Sequence, residues 1–122
     1  MQINSDPLHI EKHLLSLSSC GCYINTQDIV EMGKALGIEL PYKKRSLIMQ
    51  TLLLHAKEHN QNLTLLSLLC EMLERKNQAL LNLLQNYPQS EAILQNFIFK
   101  TNTTKLLLQR ELALHVKEND DA

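Results

Sequence analysis

The residues best suited to chemistry lie near the amino terminus, where two histidines precede two cysteines. His9 and His13 are four residues apart, and Cys20 and Cys22 follow with one glycine between them. Residues four apart share one face of a helix. Imidazole nitrogens and thiolate sulfurs are good ligands for zinc and copper, and four of them would complete a tetrahedral zinc site. This pattern supports metal- or thiol-dependent binding as an alternative hypothesis. The competing interpretation is that the histidines border an apolar stripe and the cysteines lie in a loop.

The other histidines and the third cysteine fit structural roles better than catalytic ones. His55 and His59 repeat the four-residue spacing near a predicted helix end, where the helix dipole favours a protonated imidazole. Glu58 is not in the position at which a zinc-protease helix places its glutamate. Cys70 is predicted to be buried as a small hydrophobe. We therefore expect no catalytic residue, no cofactor and no enzymatic activity.

Composition predicts a single globular helical domain. The chain has 122 residues, of which 44% are hydrophobic and 20% charged, values that are close to the globular average. Three glycines and three prolines are too few for the many turns of an all-β fold. Aromatic residues are scarce, so leucine, a strong helix former, must fill the core.

The net charge and the number of cysteines indicate the cellular location of the protein and the class of partner that it binds. The net charge is −1, which argues against nucleic acid as a partner because basic residues that neutralise phosphates supply most of that affinity. An odd number of cysteines, three, argues against a disulfide framework and for a cytoplasmic location. No apolar run approaches the roughly 20 residues of a membrane span, so we expect no membrane partner.

The periodicity of the apolar residues predicts an all-α bundle. We expect two short amino-terminal helices followed by three long helices at about 42–59, 63–85 and 90–117. The single domain, residues 1–122, then consists of a short-helix part at 1–40, a long-helix core at 41–118 and a disordered tail at 119–122.

Proline, glycine and capping residues set the predicted helix boundaries. Pro7 starts the first short helix, and Thr26 caps the second, which ends before Gly37. Residues 18–25 form a loop between them, and Pro41 opens the first long helix. Within the last long helix, four poor helix formers in succession, 101–104, predict a kink or a local break.

The middle long helix has an apolar arc that covers more than half of its circumference. A surface helix needs only about a 100° stripe, so this helix is expected at the centre of the bundle or at a second interface. Four leucines of the arc are predicted to be largely buried: Leu69, Leu73, Leu80 and Leu84. Lys76 falls inside the arc, and we expect it either to extend its charge to the edge or to pair with Glu111.

The first and last long helices carry apolar residues on two opposite sides. Leu47 and Leu54 lie opposite the main stripe of the first long helix, and Phe99 and Leu106 lie opposite that of the last. One small bundle covers a single face of each outer helix, and a remaining apolar face marks an interaction site. These four residues are therefore our candidates for binding a partner protein or a second copy of the chain.

A third hypothesis, DNA binding, comes from the segment before the first long helix. Gly33 and Gly37 loosely resemble the turn of a helix-turn-helix motif, and the basic residues 43–45 follow it. Pro41, however, would enter the presumed recognition helix. The basic triplet fits a solvated first helical turn better.

The long Leu, Gln, Asn and Lys-rich helices with few aromatics are similar in kind to small bacterial chaperones of secretion, flagellar assembly and metalloenzyme maturation. The similarity is one of composition, and no motif carries a functional residue over. It implies a cytoplasmic adaptor or chaperone that binds another protein in a groove between its last helices. That role is our leading functional hypothesis.

Overall fold

Every regular element in the described part of the chain is helical. The computed structural model describes the backbone of residues 7–121 and the side chains of residues 11–114. The elements are α1 (Pro7–Leu15), α2 (Leu17–Cys20), α3 (Thr26–Ala35), α4 (Arg45–Glu58), α5 (Asn62–Asn86), a 3-10 turn (Pro88–Ser90) and α6 (Glu91–Asp121). The described residues contain no strand, and the predicted all-α fold is confirmed.

The helices form two groups that meet at a limited contact. The two longest helices, α5 and α6, are joined by the 3-10 turn and pack along each other as a hairpin. In the second group, α4 packs on both α1 and α3. The groups are joined where the short helix α2 packs on α6 and where α4 packs on α5. The amino-terminal group is therefore anchored at one end of a long hairpin.

The apolar core lies where α1, α3, α4 and the first half of α5 meet. Leucine, isoleucine and methionine side chains fill it, as the composition predicts. The side chains that are almost completely inaccessible include Leu14, Ile29, Ile48, Met49, Leu52, Leu69 and Leu73. Cys70 is buried as predicted.

The predicted burial of α5 is confirmed only for its first half. Leu69 and Leu73 are inaccessible to solvent, but Leu80 and Leu84 are half-buried, and no residue of 78–86 is fully buried. The reason is the length of α5, which is 25 residues against 14 for α4. The second half of α5 has α6 beside it and no covering helix from the amino-terminal group.

Two of the predicted helix boundaries differ in the structure. Helix α4 begins at Arg45 rather than near 42, because Lys44 has an extended backbone. The Arg45 guanidinium donates to the carbonyl of Ile24 at 2.7 Å. This bond fixes the start of α4, and the residues just before Arg45 are not helical. At α3 the cap is Asn25 rather than Thr26, in a reciprocal capping box with Asp28.

Helix α6 runs without interruption through the threonines at which we predicted a kink. Each hydroxyl donates to the carbonyl four residues earlier: Thr101 to Phe97, Thr103 to Phe99 and Thr104 to Lys100, at 2.8–2.9 Å. These bonds satisfy the polar groups inside the helix. The helix extends to Asp121, past the predicted end near 117.

Glycines with positive φ follow the short helices α2 and α3. The predicted loop at 18–25 contains most of α2, a single helical turn that ends at Gly21 with a φ of 81°. Gly37 has a φ of 87° after α3, as predicted for a helix end.

Within residues 7–121, no helix combines the length and the hydropathy that crossing a membrane requires.

The two halves of α5 differ in burial, so a leucine-to-alanine substitution should lower the free energy of unfolding by different amounts in each half. Leu73→Ala should lower the free energy of unfolding by about 2–5 kcal/mol, because it leaves a cavity in a closed core. Leu84→Ala should cost clearly less, because its side chain is only partly buried. Urea denaturation measures both. Equal costs would show that the second half of α5 is buried as deeply as the first.

Candidate functional site

Helix α4 presents an apolar face that no other element in the described part of the chain covers. Leu47 and Leu54 are seven residues apart, so they lie on one side of the helix two turns apart. Their side chains are 50% and 53% exposed. Ile48 and Leu52, on the inner side, are buried. The structure thus places these two predicted partner-binding residues on the surface.

Helix α6 presents a longer apolar face of the same kind. Phe99 is 70% exposed and Leu106 is 54% exposed. Three neighbours on the same side of the helix are also exposed, and together the five form what we call the outer stripe: Ile93, Phe99, Leu106, Leu107 and Leu114. The sequence-based prediction for this face does not include Ile93 and Leu107. Both lie at the edge of the face on a helical wheel, and a wider arc would have included them.

The inner side of α6 is occupied by a different set of residues. Thr101, Thr104 and Leu108 are buried there against the rest of the protein. Phe99 and Leu106 lie about half a turn from the middle of this set, and the other residues of the outer stripe lie at its flank. The exposed side of α6 is therefore distinct from the side that packs in the fold.

A groove lies between the hairpin and the segment that follows α2. Its volume is about 510 Å³, which is within the range of ligand and side-chain pockets in proteins. Apolar walls come from both hairpin helices, and the residues are Met72, Ala79, Leu80, Leu83, Leu94 and Phe97. Cys22 and Gly21 line the side towards α2. The groove thus lies between the last two helices, where we expected a partner to bind.

Charged side chains line one edge of this groove and connect α3 to α5. Lys76 pairs with Asp28 at 2.7 Å, and both side chains are largely shielded from solvent. The same Asp28 oxygen accepts the backbone N–H of Asn25 at 2.9 Å. The partner of Lys76 is therefore Asp28 rather than Glu111. This pair could not be predicted from local sequence patterns, because the two residues belong to helices far apart in the chain.

The two groups of helices approach each other very closely at Gly21. A Cβ atom at this position would lie 2.5 Å from the backbone nitrogen of Thr101 and 2.7 Å from its hydroxyl oxygen. It would also overlap the carbonyl oxygen of Phe97. The Thr104 hydroxyl reaches the carbonyl of Ser19 at 3.4 Å. Only glycine permits this approach, and this explains why the cysteines are separated by that residue.

The two cysteines beside Gly21 point inwards and interact with each other. Cys20 is inaccessible to solvent, and its sulfur lies 3.0 Å from the carbonyl oxygen of Cys22 and 3.2 Å from that of Leu14. A hydrogen bond from the Cys22 side chain lowers the pKa of Cys20 to about 7, although burial opposes the shift. The same bond raises the pKa of Cys22 well above its usual range, and burial adds to that effect. One of the two thiols therefore ionises much more readily than the other.

The structure brings only part of the predicted metal site together. Cys20 and Cys22 are adjacent, and both are free. His13 is half-buried, and the side chain of His9 lies outside the described residues. Among the side chains of 11–114, no three histidine, cysteine or acidic residues are grouped closely enough to hold a metal ion. Metal binding by the four residues stays a prediction.

The second histidine pair and the basic triplet take part in local packing. The rings of His55 and His59 stack with centroids 4.1 Å apart at the end of α4. Arg45 packs its guanidinium over the ring of Tyr23, 4.5 Å from its centre, in addition to bonding Ile24. Arg45 is thereby engaged in holding the loop before α3, which leaves Lys43 and Lys44 as the exposed basic residues of this segment.

No protein-family model, curated protein or solved structure matches this chain.

The Gly21 contact predicts unequal effects of two glycine substitutions. Gly21→Ala and Gly37→Ala both place a side chain in the left-handed region, which costs roughly 1–2 kcal/mol. Gly37 has open space around it, so only that strain applies. Gly21→Ala must also separate α2 from α6 and should cost at least about 2 kcal/mol more. Urea denaturation compares the two, and equal costs would contradict the close packing at Gly21.

The interaction between the two thiols predicts that the pH at which Cys20 ionises depends on Cys22. The ultraviolet absorbance of thiolate should rise as the pH passes about 7, when Cys20 loses its proton. Cys22→Ala removes the hydrogen bond that stabilises the thiolate, so this rise should move to higher pH. Cys70→Ala is the control and should leave the titration near pH 7 unchanged. A wild-type protein without thiolate absorbance below pH 8 would overturn the proposed bond.

Proposed function

We propose that this chain is a non-enzymatic helical module that binds another protein through the apolar faces of α4 and α6. The observation that carries the proposal is the exposure of all four predicted contact residues, each at least half exposed. Isolated surface leucines are common, but exposed apolar residues that share one side of a helix, as on α4 and α6, favour an interaction surface. The kind of protein that we propose is a bacterial cytoplasmic adaptor or chaperone of the secretion, flagellar or enzyme-maturation type.

The charge pattern around the faces supports protein rather than nucleic acid as the partner. Leu47 and Leu54 are flanked by the exposed polar residues Gln50 and Thr51, and the net charge of the chain is −1. Interfaces between proteins place apolar and aromatic anchors at the centre and polar residues at the rim. Binding to phosphates would need an excess of basic residues instead.

The groove beside α5 adds a site for anchoring the partner. Apolar helices commonly dock by inserting a few large side chains into such a depression. Leu80, Leu83 and Leu94 give it apolar walls, and the Lys76–Asp28 pair gives it a charged edge. This surface fits a short amphipathic segment of the partner, with its apolar side turned inwards.

Substitution of single exposed residues tests the proposal without disturbing the core. Leu54→Asp and Phe99→Asp should each weaken partner binding by about 2 kcal/mol or more, the size of a hot spot, which is roughly 30-fold in affinity. The measurement is affinity capture from the native cell extract, followed by titration with the identified partner. Ser46→Asp and Gln109→Asp are matched controls at exposed positions of the same helices and should bind as the wild type does.

Circular dichroism decides whether a loss of binding has the proposed cause. Leu54→Asp and Phe99→Asp should retain the helical signal and melting temperature of the wild type, because both side chains are exposed. Unfolding of either variant would show that its face is part of the core. Equal capture by all four variants, or no partner for the wild type, would rule out the proposed function.

A further inference from the structure

The outer stripe of α6 is self-complementary when the helix is reversed about Thr103. Phe99 lies four residues before Thr103, and Leu107 lies four residues after it. Ile93 and Leu114 lie ten residues before and eleven after. If a second α6 runs antiparallel across Thr103, Phe99 of one copy faces Leu107 of the other, and Ile93 and Leu114 each face an alanine. The stripe from first to last residue is about 32 Å long at 1.5 Å per residue.

The polar residues on this face fit the same arrangement. Asn96 and Arg110 each lie seven residues from Thr103, so reversal places the amide of one copy beside the guanidinium of the other. The amide oxygen accepts hydrogen bonds from guanidinium N–H groups. Lys100 faces Leu106, which its methylene chain can cover while the ammonium stays in water. No pair of like charges is brought together.

A parallel arrangement lacks these matches. It would set every residue opposite its own copy, so Arg110 would face Arg110 and Lys100 would face Lys100. Like charges placed opposite one another repel. The pattern of charges therefore selects the antiparallel direction.

The residue at the centre of the stripe suits a two-fold axis. Thr103 is small, which lets two helix backbones approach closely. Its hydroxyl is already satisfied, because it donates to the Phe99 carbonyl at 2.8 Å. A polar group at the centre of the interface is therefore not left without a hydrogen bond when water is excluded.

We infer that two copies of this chain pair through their outer stripes, antiparallel, with the two-fold axis at Thr103. An interface of this type uses the same patch on both copies. The inference rests on the proposed function and names the partner of one of its two faces. The α4 face and the groove, which lies on the inner side of α6, remain accessible for a different protein.

Solution mass tests the pairing itself. The wild-type protein should have a mass of twice 14.0 kDa in sedimentation equilibrium, with dissociation on dilution. Phe99→Asp and Leu107→Asp should shift it to the monomer mass, because the charge of each copy would be buried against apolar side chains. Leu47→Asp, the same change on α4, is the control and should remain dimeric. Circular dichroism confirms that each variant is folded.

Introduced thiols test the direction and the register. Thr103→Cys should form a disulfide between copies under mild oxidation, because only a residue on the axis meets its own copy in an antiparallel pair. Arg110→Cys and Gln109→Cys should not cross-link. The wild-type protein, with its three buried cysteines, supplies the background. Cross-linking through Arg110→Cys would show a parallel pair and overturn the inferred register.

The outcomes separate this inference from the proposed function. A strictly monomeric chain that binds a different protein through Phe99 and Leu106 overturns the self-pairing and leaves the proposed function intact. A dimer that survives Phe99→Asp and Leu107→Asp places the interface elsewhere and also overturns the inference. A monomer that binds no protein at all overturns both.

Discussion

The contact between Gly21 and α6 is the constraint on which the rest of the arrangement depends. It brings the turn after α2 against the backbone of Thr101 and joins the amino-terminal helices to the hairpin, in addition to the packing of α4 on α5 and the Lys76–Asp28 pair. The same approach fixes which side of α6 faces the protein. Because Thr101 and Thr104 face the protein interior, the side of α6 that carries the outer stripe faces solvent. Steric fit at one glycine thus determines which side of α6 is exposed.

The position of the groove follows from this contact together with the length of the hairpin. The α5–α6 pair extends past the amino-terminal helices, so residues 78–86 lack a covering layer. The segment after α2 meets the hairpin from the side and leaves a depression of about 510 Å³. The Lys76–Asp28 pair spans its edge and ties the start of α3 to α5. The charge of Lys76, which lies within an apolar arc, is thereby compensated where solvent is scarce.

The sequence predicted the helices well and their environment less well, for physical reasons. Apolar periodicity and breakers such as Gly37 are local, so they locate helices without knowledge of the fold. The continuity of α6 through its threonines could not be predicted from propensity, because hydroxyl bonds and burial against Gly21 outweigh it. The partial burial of Leu80 depends on how far a neighbouring helix extends. The exposure of Phe99 was predictable, because one small bundle seldom covers both sides of an outer helix.

The central claim is that the outer stripe is covered in solution by a second copy of the chain. Methyl NMR with a soluble paramagnetic probe measures this directly, because the probe weakens the signals of side chains that it reaches. At high protein concentration we predict protected Leu106 and Leu107 methyls, which become strongly attenuated on dilution. The exposed Leu47 methyls should be attenuated at every concentration. Equal attenuation of all three leucines at every concentration would contradict the claim.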